Sequence, residues 1–200
     1  MDKKVVGIMG SYRKGHIIDS AVSAILEGAE GAGAQTKKIY LVDKRIEFCK
    51  NCRSCTQKKG GRGKCVHDDD MEQIVKELES ADALVLGSPM NFFTVTAVTK
   101  RFIERLVVFA YWPWGKAGPR LRIKNPTKKA VIVTSSACPA FIGRILMPNA
   151  LSVLKAGARS VGAKVVKRLY FGLVATRENQ GLSQKALQKA RHAGKKLIVD

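Results

Sequence analysis

Short strand-like runs alternate along the chain with longer segments whose apolar residues recur at helical spacing. The strand-like runs occupy residues 4–9, 35–41, 83–87, 129–134 and 163–172. The segments with helical spacing begin near residues 17, 68, 96, 147 and 183. Strands that alternate with helices predict an α/β fold, here a doubly wound parallel sheet of five strands with helices on both faces. No repeat or linker divides the chain, so residues 1–200 are interpreted as one domain.

The first strand ends in a turn that is suited to an anion. The apolar run Val5–Met9 stops at Gly10, and the helical pattern starts at Ile17, after a turn that contains Ser11 and Arg13. A helix start offers unpaired backbone N–H groups and the positive end of its dipole, which predicts a phosphate site. An ordinary turn without a ligand is the alternative. The turn lacks Gly-x-Gly-x-x-Gly and Walker motifs, which argues against a plain nicotinamide dehydrogenase or an NTPase.

Two more loops, 88–94 and 134–141, follow strands at the same predicted edge of the sheet. Ligands of doubly wound sheets bind beyond the carboxyl ends of the strands. The first of these loops offers backbone N–H groups and an apolar wall from Phe92 and Phe93, and the second offers small hydroxyl residues. A phosphate site beside two loops that can enclose a flat ring indicates a mononucleotide such as a flavin.

Four of the five cysteines lie in a predicted long loop, 43–67. Two residues separate Cys49 from Cys52 and Cys52 from Cys55, and Cys65 follows after nine more. In a cytosolic chain such a group indicates metal or redox chemistry rather than disulfides. A compact run of three thiolates with a more distant fourth suits a [4Fe–4S] cluster, while a zinc site and unligated thiols stay open as alternatives. Cys138 stands alone and is interpreted as a buried thiol.

Two other segments carry weaker signals. Asp69 and Glu72 resemble a capping box, which predicts that the second helix starts within residues 68–72. The connection at 107–126 is rich in aromatic and basic residues, with Trp112 and Trp114 near its middle. A lid, a subunit contact and simple packing of a loop are all compatible with this composition.

The chain is strongly basic, with 36 lysines and arginines against 16 acidic residues and a net charge of +20. This charge favours partners of opposite sign, but no nucleic-acid-binding motif accompanies it, so nucleic acid is not expected as a partner. Basic residues in the cysteine-rich loop would offset thiolate charge or dock an acidic electron donor such as ferredoxin, or they are simply solvated. No run of membrane-spanning length and no signal-peptide core are present, which predicts a cytoplasmic protein without a membrane segment.

Three motifs together resemble one family. These are Gly10-Ser11-Tyr12-Arg13-Lys14-Gly15, the four cysteines followed by Asp68-Asp69-Asp70-Met71, and Gly87-Ser88-Pro89. They resemble the flavodoxin-fold NADPH-dependent FMN reductase family, and more narrowly its iron–sulfur flavoprotein branch. The resemblance implies a flavodoxin-like sheet with strand order 2-1-3-4-5, bound FMN, NAD(P)H as a possible co-substrate, and a homodimer or homotetramer.

The resemblance also assigns site residues. Ser11, Arg13 and the backbone near Ile17 and Ile18 would hold the FMN phosphate, with help from His16. The ribityl chain and ring would contact Pro89, Met90, Asn91, Phe92, Phe93 and Thr94, and the polar edge of the ring would contact Thr134, Ser135, Ser136 and Ala137. The cluster ligands would be Cys49, Cys52, Cys55 and Cys65. The family often has Asn-Thr where this chain has Ile17-Ile18, so the predicted cradle depends on backbone N–H groups, Ser11 and Arg13.

Three functions are compatible with these patterns. The first is an FMN-binding oxidoreductase in which the flavin transfers hydride or electrons and no side-chain acid, base or nucleophile is needed. The second is an iron–sulfur flavoprotein that passes on electrons accepted from ferredoxin. The third is a basic binding module that uses the same fold without flavin.

Overall fold

A five-stranded parallel sheet forms the centre of the computed structural model, which describes residues 3–199. Its strands are β1 (Lys4–Met9), β2 (Gln35–Tyr40), β3 (Ala83–Gly87), β4 (Lys128–Ser135) and β5 (Ala163–Phe171). They lie in the order β2-β1-β3-β4-β5, and every neighbouring pair is parallel. β3 is the central strand, and β1 lies between β2 and β3, with Val5 opposite Thr36 on one side and Ala83 on the other. The predicted flavodoxin-like strand order is confirmed.

Helices cover both faces of this sheet. They are α1 (Ile17–Glu30), α2 (Met71–Ser80), α3 (Ala97–Arg105), α4 (Ala140–Leu146), α5 (Asn149–Ser160) and α6 (Gln184–Ile198). Alternate residues of β1 point to opposite faces, as the pleat of a strand requires. Val5 and Met9 pack in the core beneath α1 and α6, whereas Val6 and Ile8 pack in the core beneath α2, α3 and α5.

Some local predictions differ from the structure. α4 lies where a plain loop was expected to lead into a helix from residue 147, whereas α2 begins at Met71, within the predicted range 68–72. The predicted capping box is wrong, because the Glu72 carboxylate binds Arg62 at 2.8 Å instead of turning back to the helix start. Asp69 accepts a hydrogen bond from the Met71 N–H at 3.1 Å, but its carboxylate also forms an ion pair with Arg105. Within residues 3–199, no helix has the length and apolar character needed to cross a bilayer.

Candidate functional site

A cavity of about 620 Å³ opens at the carboxyl ends of β1, β3 and β4, where the sequence pattern places the ligand. Most of the predicted cofactor residues line it: Ser11, Arg13, His16, Ile17, Ile18, Pro89, Met90, Asn91, Ser135, Ser136 and Ala137. Tyr12 lines it as well. The volume falls within the usual range for small-molecule sites, about 300–1,000 Å³.

The turn after β1 is ordered by hydrogen bonds within itself. The Arg13 backbone N–H donates to Ser11 Oγ at 3.1 Å, and the Gly15 N–H donates to Asp19 Oδ2 at 2.6 Å. Gly15 has a φ of +75°, a conformation that glycine adopts without strain. The Arg13 guanidinium and His16 Nε2 lie 3.2 Å apart and both residues border the cavity. The turn therefore presents the Arg13 and His16 side chains to the cavity, while hydrogen bonds to Ser11 and Asp19 hold its backbone.

The start of α1 supplies further donors to the cavity. His16 is the residue before the helix, and its side chain makes no capping hydrogen bond. The first N–H groups of a helix have no partner within the helix, so those near Ile17 and Ile18 face outward with the positive end of the dipole. Backbone donors can thus take the place of the hydroxyl and amide side chains that Ile17 and Ile18 lack.

Asp19 is a buried carboxylate in this first helical turn, only 5% exposed. Burial alone would raise its pKa, but the Gly15 N–H, the Lys38 ammonium and the Tyr40 hydroxyl together hold the pKa below its ordinary value. Lys38 Nζ lies 2.8 Å from Asp19 Oδ1 and offsets its charge. The carboxylate can therefore hold the turn without leaving an unpaired negative charge beside the cavity.

Gly10 anchors the same turn to α3. The hydroxyls of Thr96 and Thr99 donate to the Gly10 carbonyl at 2.6 and 3.0 Å. A Cβ atom on Gly10 would overlap the Thr99 hydroxyl and approach the Gly87 carbonyl at 2.9 Å. Only glycine fits this close crossing of the β1 and β3 ends.

The loop after β3 is a tight hairpin in which Met90 and Asn91 pair with Thr94 and Val95. Phe92 and Phe93 form its turn with φ values of +46° and +65°, unusual for aromatic residues. Phe92 is 95% exposed and Phe93 60% exposed. Neither ring lines the cavity, and Thr94 does not line it either. The apolar wall expected from the two phenylalanines is not brought to the site in this arrangement.

The loop after β4 presents Ser136 with a fixed hydroxyl. The Tyr170 hydroxyl donates to Ser136 Oγ at 2.9 Å, and Cys138 Sγ lies 3.1 Å from the same oxygen. Burial raises the pKa of Tyr170, which keeps its hydroxyl protonated as a donor. Thr134, by contrast, is fully buried behind the cavity, and among residues 3–199 its hydroxyl finds no hydrogen-bond partner.

The four clustered cysteines line one small cavity of about 30 Å³, separate from the first. Left-handed backbone at Asn51 and Arg53, with φ of 52° and 59°, turns the chain between the first three thiols. All four thiols are free. Burial and the neighbouring cysteines raise the pKa of Cys55 to about 11, whereas the Ser54 hydroxyl and N–H lower that of the exposed Cys52. In the described part of the chain, no three or more His, Cys, Asp or Glu side chains are arranged to hold a metal ion.

The aromatic connection packs against this cysteine loop. The Arg53 guanidinium lies between Trp112 and Trp114, 3.8 and 4.1 Å from the ring centroids. Arg53 also donates to the Trp112 carbonyl at 2.8 Å, and the Trp112 N–H donates to the Thr56 carbonyl at 2.9 Å. These contacts favour the packing interpretation of residues 107–126 over a lid.

Comparison with known sequences identifies the family. The family model described as NADPH-dependent FMN reductase matches residues 3–173. The chain belongs to this family. The resemblance drawn from the turn, the cysteines and Gly87-Ser88-Pro89 is confirmed.

Among curated FMN reductase relatives, an iron-sulfur flavoprotein of Archaeoglobus fulgidus is 36% identical over 110 residues, 55% of this chain and 48% of the relative. An iron-sulfur flavoprotein of Methanocaldococcus jannaschii is 37% identical over 106 residues, 51% of each chain. The chain thus spans about half the length of the curated relatives it matches.

Solved structures share the fold of this FMN reductase family member. An NAD(P)H:quinone oxidoreductase from Methanothermobacter marburgensis superposes with a TM-score of 0.76 at 19% identity, over 98% of this chain and 100% of that one. An FMN-dependent NADH-azoreductase from Bacillus anthracis, in complex with FMN, gives 0.70 at 14% identity, over 99% of this chain and 100% of that one. At these identities the likeness shows the fold alone.

One wall of the cavity was missed by sequence reasoning. Residues 174–180, after β5, line it together with the first turn. Gln180 closes this segment by accepting from the Thr176 hydroxyl at 2.9 Å and donating to the Leu173 carbonyl at 2.8 Å. Ligands lie beyond the carboxyl ends of strands, and this rule applies to β5 as well as to β1, β3 and β4. The segment after β5 could therefore have been predicted from the sequence.

Proposed function

We propose that the protein is an FMN-dependent oxidoreductase whose flavin lies in the 620 Å³ cavity. The observation that carries this proposal is that cavity's wall: the N–H-rich start of α1 and the Arg13–His16 pair stand beside loops from β3 and β4. A phosphate and a flat ring fit such an arrangement. The family to which the chain belongs adds NADPH, by its name, as a candidate hydride donor.

In this proposal each loop has a separate task. Ser11, Arg13, His16 and the backbone N–H groups of Ile17 and Ile18 bind the phosphate. Pro89, Met90 and Asn91 flank the ribityl chain and ring. Ser135, Ser136 and Ala137 meet the polar edge of the ring, with Ser136 oriented by Tyr170. FMN, when bound, supplies the redox chemistry, since its ring accepts a hydride and passes electrons on.

The test is a comparison of FMN with riboflavin, which lacks the phosphate. Purified protein is titrated with each, and binding is followed by the quenching of flavin fluorescence. FMN is expected to bind at least tenfold more tightly, because the phosphate contacts are charge-assisted hydrogen bonds. NADPH consumption by the FMN-loaded protein then tests the donor. Equal affinities, or no binding of either flavin, would contradict the proposal.

A second candidate, an iron–sulfur flavoprotein for electron transfer, is favoured by the cysteine cavity. All four thiols border one cavity, and several relatives carry the name iron-sulfur flavoprotein. A [4Fe–4S] cluster takes one thiolate on each iron, so its ligands surround a body several atoms wide rather than converge on one ion. Cys49, Cys52, Cys55 and Cys65 would hold it, and the cluster would supply one-electron chemistry. Iron and sulfide assays of anaerobically purified protein test this candidate, and protein without stoichiometric iron would remove it.

A basic surface beside the cysteines suits an acidic electron donor such as ferredoxin. A third cavity, of about 390 Å³, borders Cys55 and is lined by Lys58, Lys59, Arg62, Lys64 and Arg122. Opposite charges speed encounter and make it sensitive to salt. Reduction by ferredoxin is expected to slow steeply as the salt concentration rises, and a salt-independent rate would argue against docking here.

Assembly and location are also proposals. Phe141, Ile145 and Leu146 of α4 are each more than two-thirds exposed and form an apolar face that a second copy would cover in a homodimer or homotetramer. Light scattering of the purified protein measures the assembly. The free cysteines suit the reducing cytoplasm, which cell fractionation would test.

A further inference from the structure

Arg105, the last residue of α3, is among the largest fully buried side chains of the described chain, at 2% exposure. Its guanidinium forms a bidentate ion pair with Asp69, with Nη1 2.5 Å from Oδ2 and Nη2 3.1 Å from Oδ1. Nη1 also donates to the Glu47 carbonyl at 2.8 Å. Two of its three nitrogens are therefore satisfied on one side.

The third guanidinium nitrogen of Arg105, Nε, lacks such a hydrogen bond within the part of the chain that the structure describes. Arg105 Nε is buried, and among residues 3–199 it has no hydrogen-bond partner of good geometry. Arg105 lines the cavity that Cys49, Cys52, Cys55 and Cys65 share. A buried N–H without a partner is unfavourable, and an electron-rich sulfur bound in this cavity would be a suitable acceptor for it.

Asp69 lies behind this cation and not in the cavity wall. Its two oxygens are occupied by Arg105 and by the N–H groups of Glu47 and Met71 at 2.7 and 3.1 Å. The ion pair is thus oriented, with its positive end toward the cysteines and its negative end away from them. The two hydrogen bonds to the Asp69 carboxylate hold the guanidinium in place as a cation.

The stability of the fold does not by itself account for such a pair. Taking both charges out of water is so unfavourable that a buried ion pair can often be replaced by apolar residues at little loss. A cation held charged beside four thiols has an evident use where those thiols bind a negative group.

We propose that Arg105 is a positioning residue that sets the reduction potential of an iron–sulfur cluster at the four cysteines. This rests on the second function proposed above. One electron from a low-potential donor adds one negative charge to the site and requires no proton. A fixed positive charge nearby stabilises that added charge and raises the potential, and the weak screening of a buried site strengthens the effect.

The experiment measures the midpoint potential of the anaerobically purified protein by redox titration with EPR detection, with iron and sulfide content measured alongside. Arg105→Met keeps an unbranched apolar side chain and removes the charge, so the potential should fall. Asp69→Asn leaves Arg105 uncompensated, so the potential should rise. Each shift is expected to correspond to roughly tenfold in the reduction equilibrium, about 59 mV for one electron. Arg105→Lys keeps the charge and should shift the potential less than Arg105→Met.

The opposite signs separate this role from a structural one, which would lower iron content in both variants without that pattern. Arg191→Met is the control, because Arg191 also pairs with a carboxylate, Glu27, but away from the cysteines, and it should leave the potential unchanged. If Arg105→Met does not fold, the midpoint potential of Asp69→Asn still tests the proposal, because it is expected to rise. Wild-type protein without iron would overturn the cluster proposal and this one with it. If the wild-type protein contains iron but the midpoint potentials of Arg105→Met and Asp69→Asn are unchanged or shift in the same direction, only the proposed role of Arg105 is overturned.

Discussion

The turn after β1 (residues 10–16) and the cysteine loop (residues 43–67) both border candidate cofactor sites, but different kinds of contact hold them. Residues 11–16 of the turn are fixed partly by neighbours in sequence, such as Ser11 with Arg13 and Gly15 with Asp19, although its Gly10 end is held by the distant Thr96 and Thr99. The loop is fixed by distant side chains, since Arg53 reaches Trp112, 59 residues away. Local bonds make a recognisable motif, whereas distant ones leave little trace in the sequence. The two regions should therefore respond differently to substitution.

The largest effect is expected from Arg13→Ala on FMN binding. A charge-assisted hydrogen bond contributes about 1.5–3 kcal/mol, so FMN affinity should fall by roughly tenfold to a hundredfold. Fluorescence titration measures the change. Lys14→Ala is the matched control, because Lys14 is half exposed, pairs with Asp43 and does not line the cavity. Equal losses in both variants would point to general charge rather than to a phosphate contact.

Next comes the pH dependence that Asp19 gives to the turn. Its pKa is lowered in the folded protein, so its stabilisation is present above the unfolded value, about 3.9, and is lost as the pH falls through the folded value. Asp19→Asn should lower the free energy of unfolding at pH 7 by about 1.5–3 kcal/mol. The gap between variant and wild type should close below about pH 4.

Urea unfolding between pH 7 and pH 2 measures this gap. Asp43→Asn serves as the control, because that carboxylate is half exposed and exposed ion pairs contribute about 0–1 kcal/mol. A gap that stays constant down to pH 2 would show that the carboxylate charge is not what stabilises the turn.

A glycine in each region sharpens the comparison further. Gly10→Ala should destabilise the fold by about 1–3 kcal/mol, because the new methyl group overlaps the Thr99 hydroxyl. Gly61→Ala, in the cysteine loop, meets nothing within 4 Å and should be close to neutral. Urea midpoints of the two variants provide the measurement. Similar losses in both would mean that the crossing at Gly10 is less tight than the structure indicates.

The same contrast explains what the sequence could predict. Apolar periodicity located the strands, and the turn at Gly10 was recognisable because strand, glycine and helix start are contiguous. Asp69 was interpreted from its neighbour Glu72, but its carboxylate binds Arg105, 36 residues away. Strand order, by contrast, came from the family resemblance, since periodicity does not specify which strands pair. Phe92 and Phe93 were assigned a ring contact that depends on hairpin geometry, which residue types alone do not define.

The smallest effect is expected where the aromatic connection covers the cysteine loop. Trp114→Ala removes one of the two rings that enclose Arg53, and the Trp114 backbone N–H can still donate to Gln57. Trp114 is 66% exposed, so the loss is close to that of an exposed cation–π contact, about 0.5–1 kcal/mol. Faster hydrogen exchange confined to residues 51–57 is expected, while the melting temperature of the whole protein hardly changes. Trp114→Phe, which keeps a ring, should restore most of the protection. Unchanged hydrogen exchange in Trp114→Ala would mean that Trp112 alone holds Arg53. The cysteine loop would then depend on fewer distant contacts than its comparison with the turn after β1 implies.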